Sequence, residues 1–139
     1  MHSTLASAIR VLLVGGLANL VFSFVLGWVL SMQRMKQPIE PLRWLLVAHT
    51  VSLQEGLMLL GLSYALTFAR MSGTLALVAA WLLVLGSIFQ DLSGFVNWLR
   101  RTGDQFAERS AGWRLASANA VLNTAGLALV VYGVVRGVL

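Results

Sequence analysis

The chain has 139 residues, of which 58% are hydrophobic and 11% charged, against about 25% charged in an ordinary soluble domain. That deficit excludes a water-soluble globular domain of this size, and the absence of cysteine excludes disulfides, thiolate metal sites and cysteine nucleophiles. The formal charge of +5 is not a nucleic-acid signal, because the basic residues sit mainly in short loops, where topology determinants lie, with no aromatic-basic interleaving.

The apolar residues fall in four blocks, at 7–32, 42–69, 75–99 and 113–135. Each is near or above the roughly 20 residues that cross a bilayer as a helix. The expected fold is therefore all-α, a polytopic membrane protein whose residues 1–139 form one four-transmembrane-helix bundle. The first block is longer than a signal-peptide core and lacks a convincing cleavage site, so it reads as a true span.

Span 1 has Asn19 as its only strongly polar interior residue, and Gly15, Gly16 and Gly27 allow close backbone approach, the usual way in which membrane helices pack. Loop 1, at 33–41, carries Arg34, Lys36, Pro38, Glu40 and Pro41. Pro41 suits the first helical position of span 2, where its missing N–H costs nothing. Span 2 contains His49 and Glu55, both expensive in hydrocarbon and so a functional hypothesis by default. The loop near 70–74 is short enough to make spans 2 and 3 antiparallel neighbours. Span 3 carries Gln90, Asp91 and Asn97 towards its end. Loop 3, at 100–113, is the most charged stretch, and span 4 begins with Trp113, Asn119 and Asn123 in its first half. Loops 1 and 3 with their flanks hold seven Lys/Arg against three on the other side. The positive-inside rule then predicts that both loops face the cytoplasm, in a bacterial inner membrane.

At 1.5 Å per residue, His49, Glu55, Asp91, Asn97, Asn119 and Asn123 fall in the half of the bundle nearest loops 1 and 3. Gly56 lies on the His49 face, almost two turns on, where it would leave a flat gap beside the imidazole. Glu55 points about 120° away. The two side chains would therefore serve different sides of a large ligand, or act across a subunit boundary. Gln90, Gly94, Asn97 and Arg101 form one stripe, and Asn119, Asn123 and Gly126 another, either of which could line a polar pocket. The bland alternatives are interhelical hydrogen bonds for the asparagines, and an Asp91–Arg101 pair or a capping role for Asp91. Trp44, Trp81 and Trp98 could line an aromatic cavity or form an interfacial belt. His2 is the other histidine, so a multi-histidine metal site within one protomer is nearly excluded. One axial imidazole on a haem asks for a single well-placed histidine.

The stretch AHTVSLQEG, from Ala48 to Gly56, resembles the second-span signature of the styrene oxide isomerase and hydroxylaminobenzene mutase superfamily. These are small four-span membrane proteins whose histidine is followed six residues later by asparagine and then glycine. His49 and Gly56 match the histidine and glycine, and Glu55 stands in the asparagine position. GFVNWL, Gly94 to Leu99, resembles the third-span segment, with Asn97 at its asparagine. The resemblance implies a homotrimer binding haem b between subunits, with His49 as axial ligand and Gly56 beside the cofactor. It implies that the ferric iron is a Lewis acid rearranging a small aromatic substrate, aryl epoxide to aldehyde or arylhydroxylamine to aminophenol. Glu55 and Asn97 take the catalytic positions. Glu55 could donate a hydrogen bond when protonated or act as a base when ionised. The family's tyrosine position is Arg101, better suited to a haem propionate than to an epoxide. The competing readings are a non-catalytic haem protein for electron transfer or sensing, and a small structural or transport protein whose polar residues hold helices together.

Overall fold

The structure is a computed structural model that describes residues 2–36 and 38–139, with side chains from Thr4 onward. Gln37 of loop 1 and the His2 side chain therefore lie outside the described residues. Four long helices account for the fold: α1 (His2–Arg34), α2 (Arg43–Ala65), α3 (Gly73–Leu99) and α4 (Ala111–Val138). Among the described residues there is no strand. All four helices are long and apolar enough to cross a membrane, and with its flanking 3-10 turns the second span covers Glu40–Phe68. The fold is a four-helix membrane bundle.

The helix ends follow local chemistry. Pro41 sits in the 3-10 turn Glu40–Leu42 that leads into α2, a position where proline's lost donor has no helical partner to miss. α3 begins at Gly73, two residues before the predicted start, because the Ser72 hydroxyl accepts from the Leu75 amide at 3.2 Å. α4 begins at Ala111 because Ser110 caps the Trp113 amide at 3.0 Å. Both are serine N-caps, which satisfy one of the free amides of a first turn.

The most extensive packing joins α1 to α2 and α3 to α4, and α1 and α2 both also pack on α3. α3 is the most buried helix and α4 the least, so α4 lies at the periphery against α3. Two apolar cores result. One, near loop 2, gathers Ala8, Leu12, Leu59, Leu66, Ala76, Ala79, Ala80, Leu83, Val84 and Val130. The other, near loop 1, gathers Leu26, Leu30, Leu42, Leu45 and Ala48 with Phe95 and Trp98 against them. Between the two lies a layer of polar side chains. Large apolar residues such as Phe24, Trp28, Val121 and Val131 face outward; lipid would cover such a surface.

Loop 3 folds on its own carboxylates. Glu108 accepts from the Gly103 and Asp104 amides at 2.8 and 3.0 Å, and Asp104 accepts from the Phe106 and Ala107 amides. Arg101 and Arg109 take left-handed backbone with φ of 53° and 44°, a conformation that costs a non-glycine residue about 1–2 kcal/mol.

Candidate functional site

His49 faces α1. Its Nδ1 lies 2.8 Å from the Ser23 carbonyl and 3.1 Å from the Ser23 hydroxyl. That hydroxyl gives its one proton to the His49 carbonyl at 2.9 Å. Both Ser23 oxygens therefore act as acceptors towards the ring, which requires the proton to be on Nδ1. No described residue bonds to Nε2. This is the arrangement in which a histidine offers Nε2 to a metal, the second nitrogen being held by a backbone carbonyl.

The ring borders an open groove of about 360 Å³ lined by Phe24, Gly27, Trp28, Leu30, Ser31 and His49. Phe24 and Trp28 are 68% and 71% exposed, so the groove faces outward between α1 and α2. Gly27 makes room for the imidazole: a Cβ there would lie 3.0 Å from Cε1 of His49. The flat gap beside the ring is therefore made by Gly27 of α1. Gly56, expected to make it, serves another contact. A Cβ on Gly56 would lie 2.9 Å from Leu20 and 3.0 Å from the Gly16 carbonyl. Gly16 and Gly56 thus bring the α1 and α2 backbones together, and that close approach seats His49 on Ser23.

Glu55 faces the other way, as its helical phase requires. Its carboxylate accepts from Asn123 of α4 at 3.1 and 3.4 Å. One turn away Asn119 donates to Gln90 of α3 at 2.8 Å. Gly86 lies beneath both asparagines, and a Cβ there would come 2.5 Å from Asn123 Oδ1. The Oδ1 atoms of Asn119 and Asn123 are buried and have no partner among the described residues. Glu55, Gln90, Asn119 and Asn123 are all only partly buried, so a polar seam runs along the α2–α3–α4 side.

Asn97 goes elsewhere. It is fully buried, donates to Gln105 at 3.0 Å and accepts from Ser110 at 2.8 Å. Its backbone carbonyl holds Thr102, and Gly112 packs on its amide group. Every bond of this side chain is to loop 3 or its edge. Arg101 is exposed and lines a separate cavity of about 880 Å³ with Gln33, Glu40, Arg43, Trp44 and Trp98. Trp44 donates to the Thr102 carbonyl there, whereas Trp81 is half exposed on the outside of α3.

Asp91 does not pair with Arg101. It is buried and accepts from Ser52 of α2 at 2.7 Å. Asn19 donates to Ser87 of α3 at 3.1 Å and to the Gly15 carbonyl. Within one protomer, then, His49, Glu55, Asn97 and Arg101 occupy four different environments. The sequence marked Gly27 only as a packing glycine and gave no sign of Ser23 and Ser52, whose signal was only their small size at helical spacing, or of Gln105 and Ser110, which the loop fold brings to Asn97. Among the described residues no three His, Asp or Glu side chains cluster as metal ligands.

Comparison with known proteins gives no match: no family profile, no characterised protein and no solved structure is similar to the chain.

Proposed function

We propose that the protein is a haem-b-dependent membrane isomerase acting on a small aromatic compound. The observation that carries this reading is the His49 ring, with Nδ1–H held by the Ser23 carbonyl and Nε2 without a partner among the described residues, beside an outward groove. The donor set fits haem b. One neutral imidazole is the single protein ligand that such a group requires, whereas a bare ion would need three or more ligands. Phe24, Trp28 and Leu30 suit the face of a macrocycle, and Gly27 allows it to approach α1 closely. Arg34 follows Ser23, Gly27 and Ser31 on the same helical stripe, and Arg101 stands in the neighbouring loop-side cavity. These two arginines are the cations proposed for the cofactor's carboxylates. When bound, ferric haem would supply a Lewis acid able to polarise a C–O or N–O bond.

The chain's own residues would do the rest. Ser23 fixes the ring orientation and the tautomer. The groove of one protomer contains no acid and no amide, so hydrogen bonds to substrate must come from another surface. The partly exposed Glu55, Asn119 and Asn123 seam of a second copy is the surface we assign to that task, in a homo-oligomer that is a trimer by resemblance. Glu55 would hold or accept a proton at the substrate heteroatom, and Asn123 would hold Glu55. Asn97 positions loop 3. The groove's aromatic walls exclude water from the reacting bond.

The test is turnover by detergent-purified, haem-loaded protein with an aryl epoxide and an arylhydroxylamine. Aldehyde or aminophenol formed by wild type, and reduced at least a hundredfold in Glu55→Leu with haem retained, supports the reading. Neither product from a haem-loaded protein leaves the electron-transfer or sensor reading in its place.

A further inference from the structure

The groove between α1 and α3 is the structure's second built site in the membrane, and it is separate from His49. It encloses about 270 Å³ and is lined by Gly15, Ala18, Asn19, Phe22, Val84, Ile88, Asp91 and Leu92. Ala18, Ile88 and Leu92 at its rim are exposed, whereas Asn19 and Asp91 are 4% and 7% exposed. The mouth thus opens towards the bilayer and the polar groups lie at the floor.

The floor is short of donors. Asp91 accepts from Ser52 through Oδ1, and no described residue donates to Oδ2. Asn19 spends both amide hydrogens on Gly15 and Ser87, which leaves Oδ1 buried without a donor. Among the described residues no Lys, Arg or His pairs with Asp91. Ser52 of α2 is its hydrogen-bond partner, and Asn19 of α1 shares the floor. Two unsatisfied acceptors, one of them an acid, call for a ligand rich in N–H donors and able to carry positive charge. Removing an unpaired carboxylate from water is costly, and a paired cation offsets much of that cost. Apolar walls around one such anchor select a single-ring or short aliphatic body.

We propose that this groove binds a small lipophilic primary amine entering from the bilayer, with its ammonium on Asp91 and its apolar body between Phe22, Val84 and Ile88. The ammonium hydrogens suit Asp91 Oδ2 and a water or hydroxyl, with Asn19 Oδ1 sealed beneath the floor as a second partial negative charge. The assignment does not depend on haem, because no residue of the His49 groove lines this one.

The experiment uses the full chain in nanodiscs of zwitterionic lipid and reads the 19F linewidth of 4-fluorobenzylamine. Saturable broadening is expected for wild type, reversed by benzylamine and not by benzyl alcohol of the same shape. Asp91→Asn keeps the side-chain volume and loses the charge, and it should weaken binding about tenfold or more. Leu92→Trp fills the exposed rim without touching the floor and should also abolish saturable broadening. Displacement by benzyl alcohol as effective as by benzylamine would overturn the proposal, since it would mean partitioning into an apolar groove. So would wild-type affinity in Asp91→Asn or in Leu92→Trp, or no saturable binding in wild type, the result expected if Asp91 carries only a proton.

Discussion

At the scale of single residues, the account turns on which neighbour each polar side chain has. His49 is held because the Ser23 carbonyl accepts from its Nδ1–H and Gly27 leaves its edge open. Gly27→Leu should therefore block the groove while leaving the helices intact. The expected result is unchanged helical circular dichroism and at least a tenfold loss of haem affinity in a haemin titration. Glu55 can be dissected through its partner. Glu55→Gln retains an acceptor for Asn123, whereas Glu55→Leu leaves that amide unsatisfied and should cost about 1–2 kcal/mol more in thermal or SDS-induced unfolding. Asn97→Ala removes a buried group that joins Gln105 to Ser110. It should lower stability by about 1–3 kcal/mol and leave haem content at His49 unchanged. Lost turnover at unchanged stability would instead make Asn97 a substrate contact.

At the scale of elements, the α1–α2 seam governs the site. Gly16 and Gly56 meet backbone to backbone, so Gly56→Ala must push the helices apart or displace Leu20. It should destabilise by about 1–3 kcal/mol and loosen haem in parallel, measured by unfolding and haem titration on the same variant. The four helices were legible in the sequence because uninterrupted apolar length is a local property. Their starts shifted by a residue or two where Ser72 and Ser110 cap them. The divergence of His49 and Glu55 was legible from helical phase, since both belong to one helix. The partners were not. Gly27 and Ser23 reach His49 from another helix, and no periodicity within α2 reports which face α1 covers. Asn97 shares a stripe with Gln90, yet the turn at 100–110 folds back over it. That turn depends on amides held by Asp104 and Glu108, an arrangement that helix-phase reasoning does not reach.

At the scale of the whole molecule, a layer of polar side chains lies between two apolar cores, one near loop 2 and one near loop 1. The absence of cysteine makes topology directly measurable. Single cysteines at the exposed Met35 and Phe106 should label together from one side of the membrane, and one at Thr74 from the other. If loops 1 and 3 face the cytoplasm, an impermeant maleimide added to intact cells reaches only position 74. The seam of Glu55, Asn119 and Asn123 is half covered in one protomer, which is why the proposed function calls on a second copy to close it.

The central claim is that His49 offers its Nε2 to haem iron, and the most direct test is the visible absorption spectrum of purified wild type beside His49→Ala, with pyridine haemochrome to identify the haem. The account predicts a Soret band and a b-type haemochrome in wild type, both lost or the band shifted in His49→Ala. A wild type that stays colourless after haem supplementation, or a spectrum identical in the two proteins, would contradict it.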